Sequence, residues 1–121
     1  TLNNMKLFIL SISMLLFASG TATKDNTWKN GICVVQYNAL FNKGNAVQSL
    51  DKISDAKSFN SWIDNDPTIK ESYRVKSVPT VILYQDGKEI RRWEAGISMK
   101  LRITYRDVQH AVDEITGANQ F

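Results

Sequence analysis

The sequence predicts an α/β domain built on a mixed β-sheet of about four strands flanked by helices, and three observations carry that reading. The first is Thr80-Val-Ile-Leu-Tyr84, an apolar run of β-branched and aromatic residues that reads as a strand buried on both faces. The second is the Asp86-Gly87 turn signal just beyond it, from which Lys88 to Trp93 returns as a hairpin partner. The third is the alternation of strand-like and helix-like stretches elsewhere, which gives the order β-α-β-α-β-β-α and requires a sheet of mixed direction with helices on both faces.

The elements follow in order. Gly31 to Phe41 reads as the central strand, and Gly44 to Ser54 as a short helix whose Ala46, Val47, Leu50 and Ile53 recur at helical spacing. Lys57 to Asp64 alternates imperfectly around Phe59, Trp62 and Ile63 and is expected to be the next strand. Asp66 is expected to cap a helix running from Pro67 to Tyr73, with the proline at its first position. Pro79 has no N–H for a sheet ladder, so it belongs at the entry of the following strand, Thr80 to Tyr84. Thr104 to Ile115 closes the domain as a helix capped by Thr104 or Asp107, with Val108, Ala111, Val112 and Ile115 on one face and Gly117 at its end.

Ahead of these elements, Lys6 precedes the apolar run Leu7 to Phe17 and the small residues Ala18 to Ala22. A basic start, a short apolar stretch and a small-x-small site describe a secretory signal peptide, with cleavage expected after Ala22. Residues 1–4 then form an upstream extension, and 23–121 a single domain of a size that supports one core. The run is short for a membrane helix, so membrane contact is expected only through the signal before cleavage, and the product is expected to be secreted or periplasmic. The alternative is that Leu7 to Phe17 belongs to the fold itself.

The sequence holds 15 Lys and Arg against 12 Asp and Glu, a formal charge of +3 that does not call for nucleic acid as a partner. Arg91, Arg92 and Trp93, with Lys88, Lys100, Arg102 and Arg106, form a basic strip read as the solvated side of an edge hairpin. Asp64, Asn65 and Asp66 lack the later glutamate that a calcium loop needs. His110 is remote in sequence from Cys33, so no cysteine–histidine pair is indicated. No metal-ligand, paired-carboxylate or phosphate-loop signature is present, and no cofactor is expected.

The stretch Val75-Lys-Ser-Val-Pro-Thr-Val-Ile-Leu-Tyr-Gln-Asp-Gly-Lys-Glu-Ile90 resembles the second half of the thioredoxin fold, and Val34-Val-Gln-Tyr-Asn-Ala-Leu-Phe41 resembles its central strand. The resemblance covers roughly residues 31–96 and implies a cis peptide at Val78-Pro79, facing the site. In thioredoxins the central strand runs into a Cys-x-x-Cys motif at a helix N-terminus. Here those four positions are Asn42-Lys43-Gly44-Asn45. The resemblance also places the family's buried carboxylate at Gln36 and its accompanying lysine at Asn60. Dithiol exchange needs an attacking thiolate and a resolving thiol. With amides at Gln36, Asn42, Asn45 and Asn60, the family chemistry is expected to be lost, and no catalytic residue is indicated.

What the resemblance leaves is a binding surface. A groove formed by Phe41, Asn42, Lys43, Gly44 and Asn45 against Val78, Pro79 and Thr80 is expected to dock a protein or extended peptide, with Tyr37, Trp62 and Tyr73 as apolar contacts or core. The protein is expected to be a monomer. Two alternatives stay open. The only cysteine, Cys33, reads as a small core residue, yet a lone thiol in an exported protein can also pair between molecules or work singly as an oxidoreductase. The chain is also similar to short degenerate thioredoxin-like proteins of marine bacteriophages, which implies a structural or assembly subunit of a virus particle.

Overall fold

The computed structural model describes residues 29–117. The signal-peptide reading of residues 1–22, with its upstream extension, lies outside them. Four strands form one sheet in the order β2-β1-β3-β4: β1 (Ile32–Asn38), β2 (Lys57–Trp62), β3 (Thr80–Gln85) and β4 (Lys88–Glu94). β1 pairs in parallel with β2 and antiparallel with β3, and β3 pairs antiparallel with β4. The mixed sheet expected from the element order is the one found.

Side chains alternate across β1 and β3 and so feed two cores. Val34, Val81 and Leu83 face Val47, Leu50 and Ile53 of the β1–β2 crossover and Val108, Ala111 and Val112 of the terminal helix. Val35, Tyr37, Ile82 and Tyr84 face Ala39, Val75 and Val78 on the other side. Each fully buried aliphatic side chain contributes about 2 kcal/mol of transfer free energy. Sheet β1–β3 is therefore the common wall of both cores, and its ends place the connecting loops.

The hairpin forms as expected. Asp86 and Gly87 both have positive φ, 50° and 82°, the backbone of a two-residue turn whose twist matches the strands. The Asp86 carboxylate also accepts the Gly31 N–H at 2.9 Å, tying the turn to the entry of β1. Glu89 and Arg91 pair with neighbouring residues of β3, so Ile90 is an extra residue in β4, a bulge that leaves its side chain exposed. Arg92 does not join a basic strip. Its guanidinium donates to both Glu89 oxygens, at 2.7 and 3.1 Å, and to the carbonyls of Tyr73 and Arg74 at 2.7 and 2.8 Å. The bond to Glu89 raises the pKa of Arg92 and lowers that of Glu89. Arg91 lies over the Trp93 ring at 5.1 Å.

Four expected elements are corrected. The central strand stops at Asn38 rather than Phe41, because Leu40–Asn45 winds into a 3-10 turn. The helix expected over 44–54 is absent. The crossover carries only a second 3-10 turn, Leu50–Lys52, with Ser49 left-handed at φ 66° and Ala46 extended. The Gln36 side chain holds both the N–H and the carbonyl of Val47, at 2.7 and 3.2 Å, the two groups that a helix would pair along its own axis. The apolar residues 47, 50 and 53 recur at a strict three, which buries them without a helix. The helix expected from Pro67 to Tyr73 shrinks to α1 (Ile69–Ser72). Its first turn is replaced by an Asx turn in which Asp66 accepts the N–H and hydroxyl of Thr68, at 3.0 and 2.7 Å. Arg74, left-handed at φ 54°, ends it, and the Val75 N–H reaches back to the Lys70 carbonyl at 2.9 Å. The strand expected over 57–64 likewise ends at Trp62, and Ile63–Asn65 forms a further 3-10 turn.

The terminal helix α2 (Tyr105–Thr116) matches its expectation. Asp107 accepts the Thr104 N–H at 2.7 Å, half of a capping box, and Gly117 stops the helix at φ 74°. His110 is exposed, its Nε2 3.2 Å from the Glu114 carboxylate. Among the described residues no group of acids, histidines or cysteines is arranged to hold a metal, and no helix is long and apolar enough to cross a membrane.

Candidate functional site

The C-terminal end of β1, the Val78–Pro79 loop and the 95–103 loop meet at one end of the sheet. The Val78–Pro79 peptide bond is cis. Asn42 stands where the three segments join and is only 4% exposed. Its Nδ2 lies 3.2 Å from the Asn38 Oδ1, 3.3 Å from the Val78 carbonyl and 3.1 Å from the Met99 carbonyl. Its Oδ1 accepts the Asn45 Nδ2 at 2.7 Å, and its own carbonyl accepts the Asn38 Nδ2 at 3.2 Å. Asn38 also holds the Ala39 N–H at 2.9 Å. An amide can donate twice and accept at the same time, which a thiol cannot do. Position 42 is thus a buried hydrogen-bonding hub, not a surface group waiting for a ligand.

Of the residues expected to line a groove, the structure brings all together and buries half. Val78, Pro79 and Thr80 are buried, with Thr80 Oγ1 bonded to the Ser77 carbonyl at 2.7 Å. Asn45 is half-buried, while Phe41, Lys43 and Gly44 are exposed. Tyr37 is core. Its hydroxyl lies 3.0 Å from that of Tyr84, and its ring stacks on Tyr73 at 5.4 Å. Burial pushes the pKa of both bonded phenols up, so they remain neutral. Trp62, paired in register with Asn38 at the end of β2, lines a separate pocket with Gln36, Lys43 and Asn60 rather than the surface beside Phe41 and Val78. Gln36 and Asn60 do meet, with the Gln36 Nε2 at 3.4 Å from the Asn60 Oδ1.

What the surface presents instead is an apolar cleft of about 330 Å³, lined by Phe41, Ile63, Val75, Val78, Ile97 and Met99 with Lys70, Lys76, Ser77 and Gly96. Phe41 is 73% exposed, and Ile97, Met99 and the neighbouring Leu40 are exposed too. Leu40 is held by its N–H, which donates to Asp64 at 2.8 Å. Ile97 and Met99 were not legible as site residues, because they lie in a loop between a strand and a helix. The one signal was two apolar residues in Gly96-Ile-Ser-Met99 where no periodic pattern calls for them.

Cys33 lies in β1 and is fully buried, its Sγ 3.6 Å from the Asn30 carbonyl. Burial raises the thiol pKa, with the charge of Lys57 acting weakly against it. That is the setting of an inert core thiol rather than of a nucleophile.

No protein-family model matches the chain. A stretch of 30 residues is 53% identical to a thioredoxin of Chlamydia trachomatis, a match that spans 25% of this chain and 29% of that protein. Solved structures similar to this one include a mutant thioredoxin from Halobacterium salinarum, with a TM-score of 0.57 and 16% identity over 74% of this chain and 79% of that one. A thioredoxin of Schistosoma mansoni superposes with a TM-score of 0.56 and 18% identity, covering 74% of this chain and 81% of its own. Thioredoxin-2 of the malaria parasite, described as a component of its protein secretion machinery, gives 0.56 and 16% identity over 70% of this chain and 84% of that one. Identities this low establish the fold alone. The chain has a thioredoxin-like α/β fold and carries a single cysteine.

Proposed function

We propose that this is a redox-inactive thioredoxin-like domain, exported from the cell, that acts by binding an extended polypeptide. The observation that carries the reading is the clustering of Phe41, Ile97 and Met99, all exposed, around one cleft that Val78 of the cis-proline loop also lines. Exposed apolar side chains gathered in one patch mark an interaction surface, whereas scattered ones do not. The reading shifts the contact surface from the Asn42–Asn45 backbone to the Phe41, Ile97 and Met99 side chains, since Asn42 is taken up internally.

The test is fluorescence polarisation with labelled extended decapeptides that carry a central apolar pair. Phe41→Ser combined with Ile97→Ser is expected to weaken binding by at least tenfold while thermal stability stays within about 0.5 kcal/mol, the range for exposed positions. Equal binding by the double variant would remove the reading.

Redox inactivity rests on the absence of a second thiol and on the burial of the only one. Dithiothreitol-driven insulin reduction is expected to proceed at the uncatalysed rate, with Cys33→Ser indistinguishable from the parent. Turnover that disappears in Cys33→Ser would instead establish the single-thiol oxidoreductase. Export rests on Lys6, the Leu7 to Phe17 run and the small residues before Thr23. N-terminal sequencing of the secreted or periplasmic protein is expected to begin at Thr23, and retention of residues 5–22 would count against it.

A further inference from the structure

We propose that the cleft selects acidic peptides, taking an apolar side chain whose neighbours carry carboxylates. This rests on the docking reading above and names the class of partner. The floor of the cleft is apolar, and the only charged groups on its lining are Lys70 and Lys76, both exposed. No acid lines it. Of the carboxylates nearest in sequence, Asp64 accepts the Leu40 N–H at 2.8 Å, Asp66 accepts both donors of Thr68, and Glu71 follows Lys70 on α1, but none of the three is on the lining. Lys100, exposed next to Met99, adds to the same sign. On the lining itself an incoming cation meets no carboxylate, whereas a carboxylate finds two ammonium groups beside an apolar seat.

The hydrogen bonding favours recognition through side chains. The Val78 carbonyl, the main-chain acceptor on this wall, is bonded to the Asn42 amide at 3.3 Å, and Pro79 has no N–H to give. The Met99 carbonyl across the cleft is bonded to the same amide at 3.1 Å. A peptide that sought strand-like pairing here would have to share acceptors already bonded to a buried amide. Insertion of an apolar side chain, with lysines reading the flanks, displaces nothing.

The experiment uses the whole protein and three labelled nonapeptides sharing a Leu-Phe-Leu centre, flanked by Glu, by Gln or by Lys. Polarisation titrations at 20 mM salt are expected to rank them Glu, Gln, Lys, with the Glu peptide about fivefold or more tighter than the Gln peptide. The preference is expected to shrink at 500 mM salt, where exposed charges are screened. Lys70→Glu with Lys76→Glu is expected to reverse the order, and both positions are exposed, so the variant retains the fold. Equal affinity for the Glu and Gln peptides overturns the acidic preference and leaves the docking reading standing. Failure of all three to bind overturns both.

Discussion

Replacing Asn42 with alanine is expected to lower the unfolding free energy by about 3 kcal/mol, a loss of roughly 15 °C in Tm for a domain of this size. The truncation removes the donor shared by the Asn38 Oδ1, the Val78 carbonyl and the Met99 carbonyl, and the acceptor used by the Asn45 amide. Val78 is buried, so its carbonyl loses a partner without gaining bulk water, while the buried Asn38 Oδ1 loses one donor and keeps the Ala39 N–H. Each buried group left unsatisfied costs about 1–3 kcal/mol, and the costs do not add fully because the loops relax. Asn45→Ala, which removes a single bond from a half-buried amide, is expected to cost less than about 1 kcal/mol. Urea denaturation of the two variants beside the parent makes the comparison. A loss below 1 kcal/mol for Asn42→Ala would mean that the 95–103 loop is not anchored through this amide.

Legibility of the fold followed how local each determinant is. The hairpin announces itself because Asp86-Gly87 satisfies two positive φ angles by residue type alone, and the terminal helix because its cap, apolar face and stop lie within fourteen residues, 104–117. The crossover misleads because its shape is set by Gln36, eleven residues away from Val47, which withdraws two backbone groups from any helix. Helical spacing of Val47, Leu50 and Ile53 is therefore a true signal of burial and a false signal of helix. At the site, the resemblance placed the right segments together, while the roles inside them escaped it. Residue type says that Asn42 carries an amide, and only the tertiary structure says that Met99, 57 positions on, uses it.

The second large effect is a pH-dependent one at Gln36. Gln36→Glu puts a carboxyl where the resemblance equates this position with a buried acid. Here Gln36 is 3% exposed, and its Nε2 donates to the Val47 carbonyl at 3.2 Å and to the Asn60 Oδ1 at 3.4 Å. Its Oε1 accepts the Val47 N–H at 2.7 Å, a bond that either carboxyl form retains. An ionised glutamate would present a second oxygen to two acceptors. The exposed Asn60 can rotate its amide to donate, but the Val47 carbonyl cannot change its sign. Burial and that carbonyl both favour the neutral acid, so the folded-state pKa is expected to lie above the unfolded value of about 4.3. Below about pH 4.3 both states hold the proton and the variant loses only about 1 kcal/mol, the cost of imperfect geometry. As pH rises past that point the unfolded chain releases its proton first, so stability falls by up to about 1.4 kcal/mol per unit until the folded-state pKa is reached. Urea denaturation at pH 4, 6 and 8 is expected to show the deficit growing to about 3 kcal/mol, with the parent as reference. A deficit that stays flat across that range would mean that the carboxyl is solvated in the folded state, and that Val47 is held by the backbone of the crossover rather than by this side chain. A growing deficit would mean that the folded state holds this position as a neutral clamp on Val47, so that a carboxyl here costs the fold wherever it ionises.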